Sequence, residues 1–149
     1  MNEQDFTTGF TVSQTPEGAF AAINNVRGWW SEKIEGNVDK LGDEFICHHQ
    51  DVHRSRQRIT GSIPGKKIVW HVLDGHLNFT RDKEEWKGTD ITFDILRRGD
   101  KTEVRFAHLG LVPEIECFDG CSDAWGFYIN TSLRSLITTG KGQPNGIEK

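Results

Sequence analysis

Apolar and polar residues alternate through most of the chain from residue 44 to residue 109. This period of two is typical of β-strands with one buried face and one charged face, the pattern of an antiparallel sheet covered on a single side. An earlier strand is predicted from Phe6 to Ser13, where Phe6, Phe10 and Val12 share a face. Turn residues separate strands at Pro64-Gly65, Asp74-Gly75 and Arg98-Gly99-Asp100.

Helices are predicted on both sides of this strand region. Thr15 can cap a short helix with Pro16 in its first position, Asn24-Asn25 ends it, and Val26 to Ser31 forms a second short helix. One longer helix is predicted from Asp119 to Thr139, with Gly140 as its C-cap. Its apolar positions recur near every 3.6 residues, at Trp125, Ile129, Leu133, Leu136 and Ile137.

These elements predict an α+β fold. A curved antiparallel sheet of about six to seven strands wraps on the long C-terminal helix, and two short helices follow the first strand. Because a bent sheet diverges from a straight helix, we expect space between them. Inner sheet positions are expected to include Phe45, Ile59, Trp70, Phe93 and Phe106.

The composition is that of one globular domain. The chain has 149 residues, and we assign residues 1–140 to the domain and residues 141–149 to a flexible tail. The net charge of −4 offers no basic surface for nucleic acid, and no apolar run approaches the ~20 residues of a membrane span. Three cysteines and a polar N-terminus without a signal peptide favour a cytoplasmic protein without a disulfide framework.

Three segments in this element order carry a family resemblance. They are His53–Thr60, Ser122–Tyr128 and Ser132–Gly142, with Trp29-Trp30 and Trp125-Gly126 as the most specific points. With them the chain resembles bacterial single-domain members of the SRPBCC superfamily, the START or birch-pollen-allergen-like helix-grip proteins. Within it, the closest branch is the family similar to activators of the heat-shock-protein-90 ATPase.

This resemblance implies a helix-grip fold whose cavity commonly holds an apolar ligand. The eukaryotic co-chaperones of the branch place a separate domain ahead of this one, whereas this sequence begins directly at the first strand. We therefore do not expect the chaperone activity to follow from the resemblance alone.

Aromatic and polar inner residues are the candidate ligand-binding site. Most of the large rings must be plain core, but those beside any remaining space would line it. Tyr128, His108 and Gln57 would supply the few polar points, although His108 is also consistent with a hydrogen-bonded core histidine. The predicted lining is Phe45, Gln57, Trp70, Phe93, His108, Trp125 and Tyr128.

Metal and catalytic chemistry find little support in the sequence. His48, His49, Asp51 and His53 are clustered, and Cys117 and Cys121 are four residues apart, but neither set has a recognised zinc spacing. No nucleophile elbow, P-loop or HExxH motif is present. We therefore predict no catalytic residue, no metal ligand and no cofactor.

Arg54, Arg56 and Arg58 alternate along one strand and are expected on its outer face. They would pair with acids on neighbouring strands, such as Asp90 and Asp94, or meet an acidic patch of a protein partner.

The leading hypothesis is a cytoplasmic protein that binds a small apolar or amphipathic molecule. One alternative is a chaperone-associated interaction protein that acts through its surface, with a protein partner or a homodimer. The other is an enzyme, such as a cyclase, hydrolase or dehydratase, that uses the cavity.

The scattered histidines and cysteines yield a first testable prediction. We expect no tightly bound transition metal after dialysis, because these residues do not form a set of three or four converging ligands. Elemental analysis of the dialysed protein measures this directly, and one equivalent of zinc or iron per chain would contradict it.

Overall fold

Seven strands form one antiparallel sheet in the order β1-β7-β6-β5-β4-β3-β2. The computed structural model describes residues 5–31, 33–38, 40–49, 53–77, 86–113, 115–116 and 118–144. The strands are β1 (Phe6–Val12), β2 (Ile34–Gly36), β3 (Glu44–His49), β4 (His53–Ile63), β5 (Lys67–Leu77), β6 (Asp90–Arg98) and β7 (Lys101–Leu109). The predicted α+β fold is therefore confirmed.

The register explains how the sheet closes around its helices. Strands β2 to β6 each pair with the next strand along the chain, whereas β1 pairs with β7, so that Phe6 lies opposite His108. The β4–β5 ladder shifts register between Arg56 and Gln57 and again between Ile59 and Gly61. Bulges bend a strand and increase its twist, so these two shifts curve the sheet at its centre.

One predicted turn is wrong. No turn interrupts Asp74-Gly75, because β5 continues from Lys67 to Leu77 and Gly75 lies opposite Ser55. A Cβ atom on Gly75 would lie 2.8 Å from the Cβ atom of Trp86. The glycine therefore serves the close approach of an indole to the strand. The other two predicted turns fall between strands, as expected.

The two short helices follow the first strand as predicted. Helix α1 (Pro16–Asn24) has Pro16 at its start, and the Thr15 side chain accepts a hydrogen bond of 3.0 Å from the Gly18 backbone N–H. Helix α2 (Val26–Trp29) is two residues shorter than the predicted Val26–Ser31. Both bury apolar residues against the sheet.

The C-terminal helix begins one residue earlier than predicted and is not uniform. It consists of α3 (Phe118–Phe127), a π-helical segment (Tyr128–Leu133) and α4 (Arg134–Thr139), and it ends at Gly140 with φ 85°. Trp125, Ile129, Leu133 and Ile137 are spaced by four, whereas an α-helix repeats every 3.6 residues. The wider i→i+5 turn rotates the chain by a smaller angle per residue around the helix axis. This smaller rotation keeps the four side chains on one buried face.

Residues just beyond the helix are tied back to it. The hydroxyl of Ser132 donates to the Trp29 carbonyl oxygen at 2.7 Å and accepts from the Gln143 backbone N–H at 2.7 Å. The Ser135 hydroxyl donates to the Lys141 carbonyl oxygen at 2.6 Å. The division of the chain into a domain and a tail stays a prediction, since residues 145–149 lie outside the described part. Within the described residues, no helix is long and apolar enough to cross a membrane.

The core is a single apolar cluster between the inner sheet face and the helices. It includes Trp125, which is 2 % exposed, on the same helix face as the fully buried Ile129 and Leu133. Burial of large aromatic side chains at this interface removes much apolar surface from water and so stabilises the fold.

We therefore expect Trp125→Ala to lower the free energy of unfolding by about 3–5 kcal/mol, the range for truncating a buried large aromatic side chain. Urea unfolding followed by circular dichroism measures the loss. The exposed Leu41, truncated to alanine, serves as the control and should change stability by less than about 0.5 kcal/mol. A loss below about 1 kcal/mol for Trp125→Ala would contradict this account of the core.

Candidate functional site

All five tryptophans of the chain meet in one array inside the fold. Trp30 is the hub, because its ring lies within 5.0–6.4 Å of the other four indole rings. Trp29, Trp30 and Trp70 are nearly parallel, with interplanar angles of 10–18°. Trp86 and Trp125 form a second stacked pair at 5.7 Å and 13°.

Trp86 was missed by the sequence analysis. It is 4 % exposed, yet it stands between charged residues in the sequence, without an apolar repeat to mark it as buried. Its ring meets His53 edge-on at 4.6 Å and His108 edge-on at 4.7 Å. The only signal for its position was Gly75, the small residue that leaves room for it.

Three of the predicted lining residues come together in the middle of the sheet. Trp70 meets Phe45 at 5.0 Å and Phe93 at 4.9 Å, both edge-on, and all three are essentially inaccessible to solvent. Phe106 connects this group to Trp125, with ring distances of 5.2 Å to Phe93 and 4.7 Å to Trp125. Four of the predicted lining residues, Phe45, Trp70, Phe93 and Trp125, are thus joined through Phe106 in one continuous set of contacts.

His108 is a fully hydrogen-bonded part of this interior. The Trp125 indole N–H donates to its Nδ1 atom at 3.0 Å. Its Nε2 atom lies 2.8 Å from the Thr89 hydroxyl, which in turn donates to the Trp86 carbonyl oxygen. Since an indole N–H can only donate, Nδ1 must be the acceptor, and the protonated Nε2 donates a hydrogen bond to the Thr89 hydroxyl oxygen.

This arrangement suits a neutral imidazole. Burial, with a smaller contribution from the nearby His53, lowers the pKa of His108 to about 3. Protonation would also break the hydrogen bond from Trp125, because Nδ1 would become a donor. At neutral pH the ring therefore acts as an uncharged link between β7, α3 and Thr89.

Gln57 differs from His108, because its amide is buried without a hydrogen bond. The residue is fully buried, and neither Oε1 nor Nε2 has a hydrogen-bond partner within the described protein. The indole N–H groups of Trp70 and Trp86 are likewise buried and unpartnered there. By contrast, the Trp29 indole N–H donates to the Ile23 carbonyl oxygen at 3.0 Å. The inner face therefore holds four unused hydrogen-bonding atoms.

Tyr128 stands apart from the other predicted lining residues. It is partly buried at the start of the π-helical segment, and its ring contacts Phe127 at 5.4 Å. It packs at the margin of the core cluster rather than within the tryptophan array.

The described members of the candidate metal residues, such as His48, His53 and Cys121, do not form a metal-binding group. Among the described residues, no group of three or more histidine, cysteine or acidic side chains could hold a metal ion. Asp51, Cys117 and the side chain of His49 lie outside the described part. Burial raises the pKa of the Cys47 thiol, which makes it a poor nucleophile.

Arg54, Arg56 and Arg58 do not pair with Asp90 or Asp94, so these two predicted partners are wrong, although Arg56 does pair with an acid on a neighbouring strand. Arg56 pairs with Glu44 on β3, whereas Asp90 pairs with His71 and Asp94 with Lys67. The register explains this, because β5 stands between β4 and β6 and supplies the nearer partners for the two aspartates. Within the described chain, Arg54 and Arg58 form no ion pair.

A shallow depression of about 290 Å³ lies over strands β1, β7 and β6. Its wall is formed mainly by outward-facing side chains, including Thr7, Asp94, Arg105 and Ala107. It is therefore distinct from the space expected between the sheet and the C-terminal helix.

The sheet, the gripped helix and the aromatic interior define an α+β protein of the helix-grip type. By sequence, the chain belongs to the family described as protein of unknown function DUF3240, whose model matches residues 1–75. No curated protein matches it in sequence.

Solved structures of similar fold cover nearly the whole chain. The Aha1 dimer from Colwellia psychrerythraea is 22 % identical with a TM-score of 0.74, over 93 % of this chain and 98 % of that one. The protein SSP2350 from Staphylococcus saprophyticus is 14 % identical with a TM-score of 0.68, over 93 % and 95 %. CalU16 from Micromonospora echinospora is 10 % identical with a TM-score of 0.63, over 89 % and 74 %. At these identities the likeness concerns the fold.

The neutral His108 predicts a specific pH dependence of stability. The folded state holds this ring unprotonated down to a pKa of about 3, whereas the unfolded chain takes up a proton near pH 6.5. The contribution is therefore fully present above about pH 6.5 and is lost as the pH falls towards 3, by about 2 kcal/mol between pH 7 and pH 5.

Urea unfolding at pH 7 and pH 5 measures this loss. His108→Gln is the comparison, because a glutamine amide can accept from Trp125 and donate to Thr89 but does not titrate. The variant should lose about 2 kcal/mol less than the native protein over this pH interval. Equal losses in both proteins would show that His108 is not the titrating group.

Proposed function

We propose that the protein binds a small, largely apolar molecule between its sheet and its C-terminal helix. The observation that carries this proposal is the buried amide of Gln57, whose two polar atoms have no partner in the described protein, on the same face as the unpartnered indole N–H of Trp70. The predicted lining residues Phe45, Gln57, Trp70, Phe93, His108, Trp125 and Tyr128 constitute the proposed site.

The energetics support a binding role for these groups. A buried donor or acceptor without a partner costs roughly 1–3 kcal/mol, and folded proteins keep few of them. An apolar side chain at position 57 would avoid this cost. A bound molecule with hydrogen-bonding groups would satisfy the amide and the indole. A molecule without such groups would leave them unpartnered and would therefore bind more weakly.

Binding is better supported than catalysis. Both ring nitrogens of His108 are engaged in hydrogen bonds, and its lowered pKa keeps the ring from acting as an acid or base near neutral pH. The buried Cys47 has a raised pKa and is not activated as a nucleophile. These features favour a binding protein over an enzyme. We also propose that the protein is located in the cytoplasm.

A second candidate function is interaction through the surface, with a protein partner or a second copy of the chain. The similar structure from Colwellia psychrerythraea is that of an Aha1 dimer. Arg54 and Arg58, exposed and without ion pairs within the described chain, offer charge for an acidic partner.

Native mass spectrometry of protein purified without denaturation tests the first candidate. We expect a bound molecule, seen as an added mass that disappears on denaturation. Protein freed of it should gain thermal stability from members of a panel of fatty acids, flavonoids and sterols, since a ligand bound to the folded state raises the melting temperature.

Two variants localise the binding. Trp70→Ala should abolish the stabilisation, because it removes both a wall and a donor, whereas Tyr128→Phe should only weaken it. Absence of any added mass and of any stabilisation across the panel would exclude the binding role. Sedimentation of the native protein would then test the surface role through its oligomeric state.

A further inference from the structure

We infer that the molecule held between the sheet and the helix is uncharged, planar and equipped with a hydrogen-bond acceptor beside a donor, as in an aromatic amide or lactam. This inference rests on the proposed binding function and adds the chemical class of the ligand. It comes from the unused hydrogen-bonding atoms, the absence of buried charge among the described residues and the parallel indoles.

The side chain of Gln57 determines the first requirement. A primary amide presents one oxygen acceptor and one N–H₂ donor side by side. Both of these atoms are buried and unpartnered within the described chain. A ligand that satisfies both must offer a donor to Oε1 and an acceptor to Nε2 at neighbouring positions.

Trp70 supplies a further donor on the same part of the sheet. Gln57 lies opposite Val72, and Ile59 lies opposite Trp70, so Gln57 and Trp70 are diagonal neighbours on the inner face. Phe45 joins them, because it pairs with Gln57 across β3 and β4 and its ring contacts Trp70. The donors here outnumber the acceptors, which favours a ligand with a carbonyl oxygen.

The interior offers no charge to neutralise an ionised ligand. The fully buried polar residues of the described chain are uncharged ones: Ser31, Ser55, Gln57, Thr102, His108 and Ser132. A carboxylate placed among them would lose its hydration without gaining a cationic partner, which is strongly unfavourable. An uncharged amide loses far less hydration and recovers it through Gln57 and Trp70.

The geometry of the rings favours a planar molecule. Trp29, Trp30 and Trp70 lie within 18° of parallel, so their ring planes share one orientation. A flat aromatic ring can extend such a stack at ordinary stacking distances.

Three naphthalene probes of equal ring size separate these requirements. Calorimetric titration at pH 7.5 with 2-naphthamide, naphthalene and 2-naphthoate compares the amide, the bare ring and the charged group. We expect 2-naphthamide to bind at least about tenfold more tightly than naphthalene, and 2-naphthoate to bind most weakly.

Substitutions assign the preference to its residues. Gln57→Met removes the amide while keeping the length of the side chain, and should bring the affinity for 2-naphthamide down to that for naphthalene. The free variant should also melt at a higher temperature than the native protein, because the unpartnered amide is gone. Trp70→Phe keeps a ring without its N–H and should reduce the amide preference in part.

Thr102→Val is the matched control. Its hydroxyl is equally buried but donates to the Gln14 carbonyl oxygen, away from the proposed site. This variant should lose stability and keep the native preference for 2-naphthamide.

Equal binding of 2-naphthamide and naphthalene, or a preference that survives Gln57→Met, would overturn the inference and leave the binding function standing. Tighter binding of 2-naphthoate would overturn it as well. Failure of all three probes to bind, together with the absence of a native bound mass, would overturn both the inference and the proposed function.

Discussion

The contact of one indole ring with four others is the interaction on which this fold depends. Trp30 follows helix α2, and its ring meets the rings of Trp29, Trp70, Trp86 and Trp125. These come from α2, from the centre of the sheet, from the segment ahead of β6 and from the C-terminal helix. These contacts therefore couple the positions of the four elements. The same interior holds the glycine at position 75 that leaves room for Trp86, the hydrogen bond from Trp125 to His108 and the π-helical segment.

The same interior contains two kinds of polar residue. His108 and Ser132 are satisfied from both sides and act as links between elements. Gln57 and the N–H of Trp70 are as deeply buried but lack partners in the described protein. Aromatic packing elsewhere in the core offsets the cost of these unpartnered groups, and in the proposed function they serve recognition rather than stability.

Much of the architecture could be predicted from local patterns in the sequence. The alternation around Phe45, Phe93 and Phe106 indicated inward-facing strands, and Thr15-Pro16 marked the start of a helix, because these signals depend on near neighbours in the chain. Trp86 could not be predicted as buried, since its partners are distant in sequence and its own neighbours are charged. The only sign of the π-helical segment in the sequence was the four-residue spacing of Trp125, Ile129, Leu133 and Ile137. In the sequence analysis this spacing was interpreted as an ordinary α-helical repeat.

The burial of Gln57 and His108 could be predicted from the sequence, but their hydrogen bonding could not. Sequence periodicity assigned Gln57 and His108 to the inner face, yet it could not tell which of them would find hydrogen-bond partners. That difference depends on Trp125 and Thr89, which approach His108 from other elements. The pairing of Arg56 with Glu44 had the same origin, because strand order is a property of the whole sheet.

The position of β1 beside β7 has a consequence for how the chain is made. The first strand leaves the ribosome early, but its partner residues, from Thr102 to His108, are synthesised about a hundred residues later. Strands β3 to β7 can pair with their sequence neighbours as they emerge, whereas β1 must wait for the last strand. The growing chain therefore carries β1 without its partner strand until β7 has been synthesised, and the pairing of β1 is a late step in forming the sheet.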